Sequence, residues 1–293
     1  MSKHELELKE KNVKYLLIGD DPIVRDSYYE GHPWSIVKLV LLGVWANVYT
    51  KILKKRKGGI RYVDLLAGSG TTLIQETKDV IKGSPFAVKA FAFHPFDDYI
   101  LVEKNEERYK ALIQNTKLLG NISKPKYGDC NKFVNEIFSD KSFHNLVFID
   151  MEGFDVTWES MECIIDSNSD IIINFPTSSF ERTKALESQQ CLDKFYGDHS
   201  WFKDIIDREK FLNLYMEKLN RSFRDFRKQA PYAEAIRVGK SQYFYDIILL
   251  CRKGEYTDAW DYMKNKWNKQ NPQDMENLLN YLKGRETRLD SFS

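Results

Sequence analysis

The sequence predicts an α/β fold in which a mostly parallel sheet is covered by helices on both faces. Two observations predict it. Short apolar runs of strand length alternate with longer stretches of helical periodicity, and four successive runs end in an acid, at Asp64, Glu103, Asp129 and Asp150. A third observation picks out the centre: Ile60 to Val63 reads as a buried strand and gives way abruptly to Gly68-Ser69-Gly70, where the chain must turn tightly.

Gly31 to Lys57 reads as a Gly-His-Pro loop followed by a long helix with Pro33 near its first turn. Ile36, Val40, Val44, Val48 and Ile52 form an i, i+4 row that Leu41, Trp45 and Leu53 widen, so this helix is expected to pack on the sheet. Beyond Thr72 the chain reads as irregular. Gly83-Ser84-Pro85 then predicts a short helix to about Phe91, with Ser84 as N-cap and Pro85 at the first helical position. Tyr99 to Glu103 is a continuous apolar run ending in an acid, as in a parallel strand buried on both faces. Helix is expected over Asn105 to Leu119, a third strand near Tyr127-Gly128-Asp129, helix over Asn131 to Phe138, and a fourth strand from Leu146 to Ile149 ending at Asp150. A helix near Thr157 to Asp166 leads to a fifth strand, Asp170 to Phe175.

From about Ser178 to Ala230 the alternation breaks, and the helix from Glu209 to Arg227 is expected to belong to an inserted lid or cap. Tyr232 to Val238 and Tyr243 to Cys251 predict an antiparallel hairpin at the sheet edge. Helices near Thr257 to Trp267 and Pro272 to Leu282 close the chain, with Arg285 to Ser293 as a tail. Residues 1–30 are expected to form an N-terminal extension and 31–293 one domain carrying the insertion at about 178–230.

At 293 residues with 42% hydrophobic content, the chain has ample material for one large core. A net charge of +1 gives no global drive toward nucleic acid or anionic membrane. A local one exists in Lys51, Lys54, Lys55, Arg56, Lys57 and Arg61. That cluster reads either as a solvated helix end, favoured by the dipole, or as a contact for a phosphate backbone. Cys130, Cys163, Cys191 and Cys251 are scattered, so neither a zinc site nor a disulfide framework is expected, and a reducing, cytoplasmic setting is the default. The start is rich in Lys and Glu without a signal-peptide core, and the run Ile36 to Val48 contains Lys38 and is short of a membrane span.

In an open α/β sheet ligands bind beyond the carboxyl ends of the strands, so the four terminal acids are expected to line one crevice. Glu103 is suited to accept from both hydroxyls of a ribose, or it caps a helix. Asp129 can accept from an exocyclic amine such as that of adenine, with the Cys130 amide beside the ring, or it caps the helix that follows.

The order of these motifs resembles the Rossmann-like class I S-adenosylmethionine-dependent methyltransferases. Asp64-Leu65-Leu66-Ala67-Gly68-Ser69-Gly70 matches their first motif. Within the class the chain is similar to the three-Cys-motif partner protein family. The similarity is carried by His32, Lys38 and Leu39, Gly83-Ser84-Pro85, Val102-Glu103-Lys104, Gly128-Asp129-Cys130-Asn131, Phe148-Ile149-Asp150, Gly153-Phe154, Asn174-Phe175-Pro176 and Tyr243-Phe244-Tyr245. The resemblance implies a seven-stranded sheet with an antiparallel last strand and S-adenosyl-L-methionine as cofactor. It implies that Gly68 and Gly70 back the methionine part, that Glu103 holds the ribose and Asp129 the adenine amine. Asp64, Ala67, Ser69, Lys104 and Cys130 complete the cofactor set, and Asp150 stands where the class places its catalytic motif. The chain departs from the class here, with Met151-Glu152-Gly153 in place of the proline turn that amino-methylating enzymes use. Asn174-Phe175-Pro176-Thr177 has similar letters one strand later and reads as a pocket wall. Asp150 and Glu152 are the residues expected to orient or deprotonate a substrate, followed by His32. The family name implies a separate cysteine-motif protein as partner. A cofactor-binding subunit with little activity of its own is therefore the alternative to a methyltransferase, while the absence of G-x-G-x-x-G counts against a dehydrogenase.

Overall fold

The structure is a computed structural model that describes residues 16, 23, 29–32, 34–53, 58–179, 189–199, 201, 207–240 and 243–267. Pro33, Lys54 to Lys57, the expected helix Pro272 to Leu282 and the tail lie outside the described residues.

Seven strands form the central sheet: β2 (Ile60–Asp64), β5 (Asp98–Glu103), β6 (Ser123–Tyr127), β7 (His144–Asp150), β8 (Ser169–Phe175), β9 (Pro231–Lys240) and β10 (Tyr243–Arg252). Their spatial order is β6-β5-β2-β7-β8-β10-β9. Only β10 runs antiparallel, against both β8 and β9. The hairpin predicted near the end of the chain is therefore present, with β9 as the edge strand and β10 lodged inside. Its strands extend inward to a pairing of Lys240 with Tyr243, longer than the sequence signals proposed.

The central strands are apolar on both faces because both are covered. Tyr62, Leu146, Phe148 and Ile172 join one core, while Val63, Val147, Ile149 and Ile171 join the other. The first core is capped by α1 (Trp34–Leu53), α2 (Ser84–Phe91), α3 (Glu106–Asn115) and a helix over 258–267, where Trp260 meets Trp45 edge-on at 5.7 Å. α1 is long and apolar enough to cross a membrane by composition, yet it is buried in this core. Its predicted row is buried except at Ile52.

The second core is covered by α4 (Val134–Phe138), α5 (Trp158–Asp166), α6 (Gln189–Tyr196) and α7 (Arg208–Arg227). The helix expected in a lid, α7, is part of this cover. Its Phe211 and Tyr215 rings pack at a tilt against Phe175 of β8, with centroids 4.9 and 5.0 Å away, and it packs on α5 and β9. Phe211, Tyr215, Leu219 and Phe223, spaced i, i+4 along α7, form a core stripe, so this face is consumed by the sheet.

A second sheet is absent from the sequence expectations. β1 (Tyr29–Gly31), β3 (Thr71–Ile74) and β4 (Val80–Lys82) form three strands in the order β1-β3-β4, with β1 parallel to β3. The stretch after Thr72 is thus a hairpin, and it anchors the chain just before α1 beside the glycine turn. α2 begins one residue earlier than expected: Gly83 is the N-cap and Ser84 opens the helix.

Candidate functional site

β2 occupies the middle of the sheet, and Asp64 at its end is fully buried. Its Oδ2 accepts from the Tyr62 hydroxyl at 3.0 Å and from the Ser84 hydroxyl, and its Oδ1 accepts from the Leu66 amide at 3.3 Å. Burial pushes the Asp64 carboxyl up to about 7, against the pull of the Ser84 and Tyr62 hydrogen bonds, and the charge of Asp150 adds to the rise. The next residues make the turn. Ala67 N donates to Val102 O at 2.8 Å, tying the turn to β5, and Asn115 of α3 donates to Ser69 O at 2.9 Å. Gly68 and Gly70 take φ values of 60° and 77°, which side-chain-bearing residues rarely adopt. Gly83 closes on the same turn: its amide donates to Gly70 O at 2.7 Å, and a Cβ there would lie 2.9 Å from the Gly70 backbone.

A cavity of about 370 Å³ opens beside this turn. Leu66, Ala67 and Ser84 form one wall, and Asp150, Glu152 and Asn174 form the other. β2 and β7 are neighbours in the sheet but not in the chain. Strands β5 and β6 build away from β2 on one side, and β7 and β8 on the other, so the cavity sits where the strand order reverses.

Asp150 is held from two directions. Lys38 Nζ of α1 donates to its Oδ1 at 2.8 Å and its Oδ2 at 2.6 Å, and Asn174 Nδ2 of β8 donates to Oδ1 at 2.7 Å. The Lys38 and Asp150 side chains are 13% and 27% exposed, so the pair is shielded from bulk water without being sealed from it. Glu152 is open to solvent on the rim, yet protein crowds it enough that desolvation raises its carboxyl, with Arg108 opposing. His32 also lines the cavity, its Nδ1 2.7 Å from Glu76 Oε1 and its ring 4.4 Å from that of Trp34. The structure thus brings all three expected catalytic residues, Asp150, Glu152 and His32, to one cavity.

The four strand-end acids do not line one crevice together. Asp64 is buried, and of the four only Asp150 faces the cavity. Glu103 is nearly buried and accepts from Asn105 N at 2.7 Å, while Asp129 caps the short turn Cys130–Lys132 by accepting from Asn131 N at 2.9 Å. Lys104 pairs with Asp155 at 2.6 Å, and Cys130 is buried, its thiol pushed up to about 12 by desolvation. These residues stand at the ends of β5 and β6, on the other side of the turn from the cavity. Gly68, Ser69 and Gly70 lie between the two groups, with Thr71 and Thr72 continuing the cavity wall.

Sequence reasoning placed neither Lys38 nor Asn174 in the chemistry. Asn174 had a readable signal, since β7 and β8 are adjacent parallel strands of equal length and pairing them end to end sets Asp150 opposite Asn174. In the basic cluster, Arg61 is corrected. It is buried, donates to Ile137 O at 2.9 Å and lies over the Phe143 ring at 3.7 Å, so it cannot meet a phosphate in solvent. Among the described residues no three metal-ligating side chains cluster.

No family model and no curated protein matches the chain. Solved structures do match. Protein LPL1258 from Legionella pneumophila is 13% identical, with 86% of this chain and 94% of that one covered at a TM-score of 0.46. The O-methyltransferase TomG from Streptomyces achromogenes, solved in complex with S-adenosylmethionine, is 10% identical over 72% of this chain and 80% of that one, at 0.41. Precorrin-6y C5,15-methyltransferase from Geobacter metallireducens is 15% identical over 82% and 97%, at 0.38. In this chain itself the decisive observation is the sheet: seven strands whose last member alone is antiparallel and lies between the fifth and sixth. The chain has the Rossmann-like class I methyltransferase fold. Ala67, in the glycine turn after the first strand of the sheet, and Asp150, which ends the fourth, line the same cavity.

Proposed function

We propose that this chain is an S-adenosylmethionine-dependent methyltransferase. The observation that carries the reading is the cavity's position at the strand-order reversal, walled by the glycine turn on one side and by Asp150 and Glu152 on the other. The residues fit the cofactor. Two positive-φ glycines leave the turn's backbone open to close approach, and on the adenosine side Glu103 ends β5 and Asp129 stands two residues past the end of β6. In this reading Gly68 and Gly70, with Ala67 and Ser69, back the amino-acid part. Glu103 accepts from the ribose hydroxyls and Asp129 from the adenine amine, with Lys104 and Cys130 beside them, while Asp64 braces the turn from beneath through Ser84 and the Leu66 amide. When bound, the cofactor supplies a methyl group on an electrophilic sulfonium.

The protein's own contribution is position and charge. Lys38 and Asn174 fix the Asp150 carboxylate facing the cavity, where it can orient a donor group and take its proton. Glu152, with its carboxyl raised by partial desolvation at the rim, and His32, oriented by Glu76, are the other groups able to exchange protons with a substrate. At family level the motif order supports the three-Cys-motif partner proteins, and with them a cysteine-motif partner and a cytoplasmic setting. The four cysteines are free thiols, consistent with that setting.

Thermal unfolding with S-adenosylmethionine, S-adenosylhomocysteine and NAD tests the cofactor. Ligand at 100 times its Kd stabilises by about 2.7 kcal/mol, so the first two are expected to raise Tm by several degrees and NAD to leave it unmoved. A rise with NAD alone sinks the reading. A labelled-methyl assay with and without the cysteine-motif protein then separates an autonomous enzyme from a subunit that needs its partner.

A further inference from the structure

We propose that the amino-terminal edge of the sheet, opposite the methyl cavity, is a docking surface for single-stranded nucleic acid. The proposal goes beyond the methyltransferase reading and does not depend on it.

Three segments far apart in sequence end together at this edge. Tyr49 and Ile52 of α1, Arg227 at the end of α7 and Arg252 at the end of β10 line one cavity of about 130 Å³. Arg252 pairs with Pro231 in the hairpin, and Lys253 N donates to Ala230 O at 2.9 Å, which sets Arg252 and Lys253 beside the chain that leaves α7. His144, the first residue of β7, lines the same cavity, whereas Asp150, the last, lines the methyl cavity. Six strand rises of about 3.3 Å put the two sites roughly 20 Å apart.

Each segment delivers cations. Lys51 comes from α1, Arg224, Arg227 and Lys228 from the end of α7, and Arg252 and Lys253 from β10; the acids of the same stretches are Asp170, Asp225 and Glu255. Arg224, Lys228, Arg252 and Lys253 are exposed and enter no ion pair among the described residues. In a chain whose net charge is +1, this is a local excess.

Helix dipoles account for part of it. α1 and α7 both end at this edge, where cations are favoured. β10 has no comparable dipole, so Arg252 and Lys253 need another reason. Exposed rings lie among the cations. Phe226, next to Arg227, is 43% exposed. Phe93, whose amide donates to Thr50 Oγ1 of α1 at 3.0 Å, is 48% exposed, and its ring centroid lies 5.0 Å from the Lys51 ammonium. Cations that neutralise phosphates, interleaved with rings that stack on unpaired bases, are what a single strand needs. A duplex keeps its base faces stacked inside, and an acidic peptide offers charge without base faces.

Fluorescence anisotropy tests the surface, with the full chain and a labelled single-stranded DNA of about 20 nucleotides, longer than the span one such surface covers. Neutralising about five phosphates predicts a slope of about −3.5 for log affinity against log salt. Arg252→Gln combined with Lys253→Gln is expected to weaken binding by at least about tenfold at low salt and to flatten that slope by about 1.4. Phe93→Ala and Phe226→Ala are each expected to cost about fivefold or more with the slope unchanged, because stacking releases no counterions. Lys110→Gln, on α3 beside β6, removes an equally exposed lysine away from this edge and is expected to stay within about twofold of the parent chain. No binding at low salt, a slope near zero, or a loss in Lys110→Gln as large as in the double variant overturns the surface. A duplex of the same sequence that binds as tightly, or polyglutamate that competes as well as the unlabelled strand, overturns the single-strand assignment.

Discussion

The two halves of the sheet's carboxyl edge are built on different principles. At the ends of β5 and β6, Glu103 and Asp129 each accept from the backbone amide two residues ahead, so each acid is satisfied within its own turn. At the ends of β7 and β8, Asp150 is satisfied by Lys38, 112 residues away in sequence, and by Asn174, 24 away. An acid committed to its own turn shapes backbone and can serve a ligand from where it stands. An acid held by remote side chains is aimed by the fold, and its geometry exists only when α1 and the two strands β7 and β8 have come together. The contrast separates a half suited to holding a constant ligand part from a half suited to orienting a reacting group.

Asp64 lies between the halves and gives the largest expected effect. Its folded-state carboxyl titrates near 7 against an ordinary value of 3.8. From about pH 4 to pH 7 the unfolded chain has released this proton while the folded chain keeps it, so stability falls as pH rises through that window. The fall is of the order of 4 kcal/mol. Urea titrations across the window are expected to show it in the parent chain and to show a flatter profile in Asp64→Asn. Asp150→Asn removes a repelling charge, so it is expected to move the Asp64 midpoint downward. An unchanged midpoint means that Asp64 answers to burial alone.

Lys38→Met comes next. It leaves the Asp150 carboxylate with Asn174 alone, and for a pair this shielded the expected loss is about 2 kcal/mol in denaturant unfolding. A double-mutant cycle with Asp150→Asn is expected to recover part of that loss, and strict additivity would show that the two side chains do not act on each other.

The smallest effects belong to the locally satisfied half. Glu103→Gln and Asp129→Asn keep an oxygen for the same backbone amide, so each is expected to change stability by less than about 1 kcal/mol. A loss as large as that of Lys38→Met would erase the distinction between the halves.

The same difference decides what was legible in the sequence. Strands β2, β5, β7 and β8 announce themselves because burial on both faces demands uninterrupted apolar runs, and Asn105 and Thr157 are readable helix starts because their partners lie three residues ahead. The small sheet was missed because its strands are three or four residues long and exist through pairing of β1 with β3, some forty positions apart. Arg61 was misjudged because it follows a run of lysines, and nearness in sequence says nothing about which way a strand residue points. Lys38 on an otherwise apolar helix was visible as an oddity, but its partner is set by tertiary packing alone. The glycine turn was read with its neighbours, although the hairpin that follows it was not.

The central claim is that the glycine turn and the acids around it hold S-adenosylmethionine. Calorimetric titration of the full chain with that cofactor, repeated on Glu103→Ala, tests it most directly. The account predicts one cofactor per chain and binding weakened by at least about tenfold in the variant, the loss of two hydrogen bonds to a charged acceptor. No binding by the parent chain, or a variant that binds as tightly as the parent, would contradict it.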